Sequence, residues 1–62
     1  MSWTQYEVWA EIDGHQELIE TTHSLKEANL LADKTFEDGC DLVQVYEETD
    51  DGDYKIVREL SR

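Results

Sequence analysis

The sequence predicts an α+β domain in which four antiparallel strands form one sheet and a single helix packs across one face of it. Two regions of alternating apolar and polar residues flank one apolar stripe at a helical period, which gives the order β-β-α-β-β. A glycine-containing turn divides each alternating region into two strands, as a hairpin requires. A chain of 62 residues has room for one domain, spanning residues 1–62. The order of the strands in the sheet is not readable from this pattern.

The first two strands are expected to form a hairpin. Residues 3–12 alternate with a period of two, and residues 16–22 form the returning strand. Between them, Asp13-Gly14 is a favoured pair for a two-residue turn, because both central residues need positive φ. The resulting register matches apolar side chains with one another: Val8 with Ile19, and Trp9 with Leu18.

The helix is predicted to begin after Ser24 and to end before Gly39. Ser24 and Glu27 have the spacing of a capping box, in which each side chain accepts from an otherwise unpaired amide of the first turn. Gly39 takes the left-handed conformation that ends a helix at little cost. The stripe that would face the sheet follows a helical period: Leu25, Ala28, Leu31, Ala32, Thr35 and Phe36.

The last two strands are predicted over residues 41–49 and 53–60, joined by a three-residue turn. Asp50-Asp51-Gly52 suits such a turn, with glycine in the left-handed bulge position. The register again matches like with like and makes one complementary charge pair: Val45 with Val57, Tyr46 with Ile56, Glu47 with Lys55, and Leu42 with Leu60.

Both faces of this sheet carry apolar side chains, although one helix covers only one face. The face expected under the helix holds Tyr6, Val8, Ile19, Val43, Val45 and Val57. The opposite face holds Trp9, Leu18, Leu42, Tyr46, Tyr54, Ile56 and Leu60. Large exposed apolar patches usually mark contact sites, so we expect the second face to bind a partner or a second copy, anchored by Trp9 or Tyr46. The alternative is that sheet twist, chain ends and long side chains cover it.

The net charge of −11, from 16 acidic and five basic residues, is the strongest compositional signal. Such a surface repels nucleic acid and anionic lipid, so we expect no direct nucleic-acid binding and no membrane binding. Carboxylates on alternate strand residues lie about 6.7 Å apart and can approximate a track of phosphates. The candidates for an acidic surface that binds a basic protein are Glu37, Asp38, Asp41, Glu47, Glu48, Asp50, Asp51 and Asp53, with Glu7, Glu11, Glu17 and Glu20 on the first hairpin. The alternative is that the charge serves solubility alone.

No catalytic, cofactor or metal motif stands out. Cys40 is the one cysteine, which excludes a disulfide within the chain and favours a reducing compartment. His15 and His23 lack the paired spacing of a zinc site, and residues 47–53 lack the ligand series of a calcium loop. The predicted register places Glu7 opposite Glu20, the one candidate acid–base pair, against the alternatives of a solvated repulsive pair or a slipped register. We expect a protein that is not an enzyme and has no cofactor.

The sequence thus predicts a non-enzymatic acidic binding protein. The specific hypothesis is an inhibitor that occupies the basic groove of a nucleic-acid-binding protein by mimicking nucleic-acid charge. In size and charge alone, the chain is similar to small inhibitors encoded by phages and mobile elements, including those that act on restriction and CRISPR systems. The alternative is a homodimer formed through the second apolar face. No apolar stretch exceeds three residues and no signal peptide is evident, so we expect a complete, soluble, cytoplasmic chain.

Overall fold

A computed structural model describes residues 2–62 and confirms the α+β class. The elements are β1 (Thr4–Ile12), β2 (His15–Thr22), α1 (Leu25–Glu37), β3 (Leu42–Thr49) and β4 (Tyr54–Ser61). The strands form one antiparallel sheet in the order β2-β1-β3-β4, so β1 and β3 are central and the two hairpins lie side by side. No helix within residues 2–62 is both long enough and apolar enough to cross a lipid bilayer.

The core lies between α1 and the two central strands. Its buried side chains are small: Val8, Ala10, Ala28, Ala32, Val43 and Val45. Larger side chains close its margins while remaining partly exposed: Tyr6, Ile12, Leu31, Phe36 and Leu60, together with Cys40. The central strands and the helix stripe from Ala28 to Phe36 pack as predicted, but Leu25 is exposed, and so are Ile19 and Val57, which were expected under the helix. The core contains no fully buried residue larger than valine.

The capping of α1 differs in one bond from the predicted box. Ser24 Oγ accepts from the Glu27 amide at 3.2 Å, as expected. The Glu27 carboxylate accepts instead from the Thr22 hydroxyl at 2.9 Å, and that hydroxyl accepts from the Ser24 amide. The Thr22 hydroxyl therefore bridges the Ser24 amide and the Glu27 carboxylate, which a capping box would join directly. At the other end, Gly39 has φ of +114° and its amide donates to the Phe36 carbonyl, which confirms the predicted end of the helix.

A β-bulge in β2 changes the predicted register of the first hairpin. The turn itself is confirmed, since Asp13 and Gly14 both have positive φ, and Trp9 pairs with Leu18. Beyond that pair Ile19 is an extra residue, so Val8 lies opposite Glu20 and not opposite Ile19. The predicted opposition of Glu7 and Glu20 is wrong for the same reason, because Glu7 lies opposite Thr21.

A second bulge, at Val57 in β4, has a larger consequence. The pairs Tyr46–Ile56 and Glu47–Lys55 are confirmed, but the predicted pairs of Val45 with Val57 and of Leu42 with Leu60 are wrong. Val45 lies opposite Arg58, and Leu42 opposite Ser61. Leu60 therefore does not belong to the face away from the helix: it packs against the core. Both bulges lie in edge strands, where they interrupt the regular row of unpaired backbone groups that invites edge-to-edge association.

Candidate functional site

The side of the sheet away from α1, here called the outer face, is the candidate site. Alternation along the strands, together with the observed pairing, assigns these residues to it: Gln5, Glu7, Trp9, Glu11, Gln16, Leu18, Thr21, Leu42, Gln44, Tyr46, Glu48, Tyr54, Ile56, Glu59 and Ser61. Every residue that the sequence predicted for the second apolar face lies here except Leu60. Gln5, Gln16 and Gln44 were not predicted as site residues, although the same alternation along the strands indicates their positions. Glu59 was not predicted either, because it reaches this face only through the bulge at Val57.

A stacked tyrosine pair forms the centre of the outer face. The rings of Tyr46 and Tyr54 have centroids 4.9 Å apart and planes inclined by 14°. The Tyr54 hydroxyl donates to Glu7 Oε1 at 2.6 Å. Because Tyr54 is on β4 and Glu7 on β1, the Tyr54 side chain must cross β3, and it does so over the Tyr46 ring. One side of the Tyr54 ring therefore rests on Tyr46, while 48% of the residue remains exposed.

Glu7 joins this pair to the tryptophan. Its Oε1 also accepts from Trp9 Nε1 at 2.9 Å, so one carboxylate oxygen holds two aromatic side chains. Burial, followed by the hydrogen bond to Glu7 and the charge of that carboxylate, raises the pKa of Tyr54 to about 12. Tyr54 is therefore a neutral donor at physiological pH.

Amide side chains extend the hydrogen bonding to all four strands. Gln44 Oε1 accepts from Gln16 Nε2 at 2.8 Å and from the Tyr46 hydroxyl at 3.2 Å. On the same face, Gln5 Nε2 donates to Glu48 Oε1 at 2.6 Å. These bonds fix the orientation of the central side chains in the unbound protein, which lowers the conformational entropy that a partner must remove on binding.

Charge is segregated between the two sides of the sheet. Within residues 2–62 the outer face carries Glu7, Glu11, Glu48 and Glu59 but no lysine or arginine. The basic side chains are on α1 or on the side of the sheet that it covers: Lys26 and Lys34 on the helix, Lys55 at 3.7 Å from Glu47, Arg58 at 2.6 Å from Asp33, and Arg62 over the Phe36 ring. The outer face is therefore aromatic at its centre, and every charged side chain on it is a glutamate.

The other predicted acidic residues do not form one continuous track. Glu37 ends α1, and Asp38 and Asp41 lie between α1 and β3. Asp50, Asp51 and Asp53 lie in the turn after β3. An eight-residue strand separates the two groups, by roughly 30 Å at about 3.4 Å per residue. Glu20 lies opposite Val8, and Glu47 lies opposite Tyr6. Because Val8 and Tyr6 face the helix, Glu20 and Glu47 belong to the helix side of the sheet. Of the predicted acids, only Glu7, Glu11 and Glu48 lie on the outer face itself.

Glu7 and Glu20 do not form an acid–base pair. Glu7 belongs to the outer face, whereas Glu20 pairs with the buried Val8 and belongs to the helix side, so the sheet separates the two carboxylates. An open depression of about 460 Å³ lies elsewhere, between the first turn and the end of α1. Its lining is largely acidic or glycine and includes Cys40, Asp13 and Asp41. Across residues 2–62, no three His, Cys, Asp or Glu side chains are grouped so as to hold a metal ion.

Comparison of the chain with protein-family models, with curated proteins and with solved structures found no match.

Proposed function

We propose that this protein is a non-enzymatic acidic module that binds a basic protein through the outer face of its sheet. The observation that carries this proposal is the segregation of charge: the outer face has glutamates around an aromatic centre and no lysine or arginine within residues 2–62. A surface whose charged side chains are all negative attracts a positively charged partner and repels a negatively charged one.

The aromatic centre supplies the anchors of this contact. Trp9 and Tyr46 are the predicted anchors, and Tyr54 joins them because its ring lies over Tyr46 and its hydroxyl reaches Glu7. Tyrosine and tryptophan dominate binding energies at protein interfaces, since each buries a large rigid area with few rotatable bonds. Their hydrogen bonds already hold them in place, which favours binding with little rearrangement.

The partner that fits best is a protein with a basic groove of the kind that holds nucleic acid. Asp50, Asp51 and Asp53 lie in the turn that leads directly into Tyr54, so a dense group of exposed carboxylates adjoins the aromatic centre. These carboxylates would steer the encounter, and the outer face would then occupy the groove and exclude the nucleic acid. In this role the protein is an inhibitor that acts by charge mimicry.

A homodimer through the outer face is the second candidate. The exposure of Leu18 and Ile56, at 48% and 47%, favours it because pairing would bury both. A twofold dimer, however, brings each outer face against its own copy, so Glu7, Glu11, Glu48 and Glu59 would meet one another without a compensating cation on that face. Like-charge juxtaposition of this kind opposes association, which places the dimer second.

The proposal is tested by competition. A panel of purified basic nucleic-acid-binding proteins is loaded with a labelled DNA duplex, and displacement by this protein is followed by fluorescence anisotropy at low and physiological salt. We expect displacement from a subset of the panel and a weaker effect at higher salt.

Two variants of equal charge locate the contact. Replacing Asp50, Asp51 and Asp53 with asparagine should weaken displacement, because it removes the carboxylates beside Tyr54. Replacing Glu17, Glu20 and Glu37 with glutamine removes the same charge from positions that neither lie on the outer face nor adjoin Tyr54, and should have less effect. Equal losses in the two triple variants would contradict a contact through the outer face, and no displacement from any member of the panel at low salt would contradict the proposed function.

A further inference from the structure

We infer that the outer face recognises arginine side chains, with a guanidinium stacked on the exposed side of the Tyr54 ring and hydrogen-bonded to the carboxylates beside it. This inference rests on the proposed function, because it specifies the chemistry by which a basic partner is bound. It is carried by three observations: the ordered tyrosine stack, the carboxylates around it, and the charge of the whole face.

The Tyr54 ring is a fixed platform. Its inner side packs on Tyr46 at a centroid distance of 4.9 Å, and its hydroxyl is held by Glu7 at 2.6 Å. The ring is therefore held at both its face and its hydroxyl, and the side turned away from Tyr46 is the part that a partner can reach, since 48% of Tyr54 is exposed. A cation over the face of an aromatic ring is attracted by the negative potential of that face, and the attraction grows when a partner excludes water.

Three carboxylates adjoin this platform. Glu48 lies directly opposite Tyr54 in the register of β3 and β4, Asp53 precedes Tyr54 in the chain, and Glu7 meets the hydroxyl end of the ring. A guanidinium is planar and carries its donors around its edge, so it stacks by its face and donates to carboxylates by its edge at the same time. A lysine ammonium is a compact and strongly hydrated charge that cannot stack in this way.

A guanidinium that stacks on an aromatic ring and lies near a carboxylate already occurs elsewhere in this chain. The Arg62 guanidinium carbon lies 4.3 Å from the centroid of the Phe36 ring. Its Nη2 donates to the Phe36 carbonyl, and its Nε lies 4.0 Å from Asp41 Oδ1. Arg62 lies on the side of the sheet that α1 covers, whereas the Tyr54 platform has the ring and the carboxylates without an arginine from residues 2–62. Charge complementarity thus favours an arginine supplied by the partner over an apolar segment or a second copy of this acidic chain.

The test compares two peptides of equal length, an oligo-arginine and an oligo-lysine, each titrated into the full chain. Binding is followed by NMR, using the backbone amides and the indole N–H of Trp9, with Trp3→Phe to assign the indole signal. We expect the arginine peptide to bind about fivefold more tightly than the lysine peptide. The largest chemical-shift changes caused by the arginine peptide should fall at the signals of Glu7, Trp9, Glu48 and Tyr54.

Variants separate stacking from charge. Tyr54→Phe keeps the ring and should keep most of the preference for arginine, whereas Tyr54→Leu should reduce it to about twofold or less. Glu48→Gln leaves the ring in place and should weaken binding of both peptides. It also supplies a second test of the site if Tyr54→Leu fails to fold.

The outcomes distinguish the two proposals. Equal binding of both peptides to the outer face would overturn the arginine inference and leave the proposed function intact. Shifts centred on α1 or on the first turn would overturn the inference and also the placement of the contact on the outer face. Absence of binding by either peptide at low salt would overturn both.

Discussion

The hydrogen bond between Tyr54 and Glu7 makes a quantitative prediction about stability at high pH. The hydroxyl donates to a carboxylate oxygen at 2.6 Å, and the pKa of Tyr54 is raised from 10.0 to about 12, first by burial and then by Glu7. A group with a raised pKa in the folded state holds its proton more tightly there than in the unfolded chain. Its contribution to stability is therefore complete below pH 10.0 and is lost as the pH rises through about 12.

The size of this contribution follows from the shift and from the exposure of the side chain. Without screening, a shift of about two pKa units corresponds to roughly 2.7 kcal/mol. Tyr54 is 48% exposed, so solvent screening reduces the expected value to about 1 kcal/mol. We expect Tyr54→Phe to cost about 1 kcal/mol at neutral pH, because it removes a partly exposed hydrogen bond to a charged acceptor.

Urea unfolding of the wild type and of Tyr54→Phe across the alkaline range is the assay. Burial also raises the pKa of Tyr6, with Glu47 adding to the shift, so both proteins should lose stability at high pH. The informative quantity is the difference in unfolding free energy between the two proteins, which should shrink from about 1 kcal/mol towards zero between pH 10 and about 12. A difference that stays constant across this range would refute the reasoning, as would a variant as stable as the wild type at neutral pH.

Three further substitutions test the packing and capping. Val45→Ala should lower the unfolding free energy in urea by about 2 kcal/mol, because it opens a cavity in a core of small side chains; a loss below about 0.5 kcal/mol would contradict that packing. Ser24→Ala should cost about 1 kcal/mol and reduce the helical signal in circular dichroism, since the Glu27 amide loses its acceptor; an unchanged midpoint would contradict the cap. Arg58→Ala should cost about 1 kcal/mol by breaking the contacts to Asp33 and Asn29, and Asp33→Asn in the same background should add little, as a double-mutant cycle can verify.

Local patterns in the sequence were sufficient for the elements of the fold. The period of two in residues 3–12, the turn at Asp13-Gly14 and the Ser24 cap each depend on neighbours in the chain, and the structure confirms all three. The two bulges were not predicted. Ile19 and Val57 have strong β propensity and match apolar partners in a regular register, so no local signal distinguishes a bulge from a regular strand at these positions.

The candidate site depended more on tertiary structure. The alternation along each strand assigns Trp9, Tyr46 and Tyr54 to one face, and this was predicted. Leu60 was wrongly assigned because the bulge at Val57 reverses the parity of the residues that follow it. The contact of Tyr54 with Glu7 requires β1 and β4 to flank β3, and the strand order that brings this about was not readable from the pattern.

The association state of the protein tests the central claim most directly, because the outer face must be free if it binds a basic partner. Sedimentation equilibrium over a range of protein concentrations, at low and at physiological salt, measures it. The like charge of opposed outer faces predicts a monomer under both conditions. A stable dimer that dissociates on Trp9→Ala or Tyr46→Glu would contradict the account, since the outer face would then be occupied by a second copy of the chain.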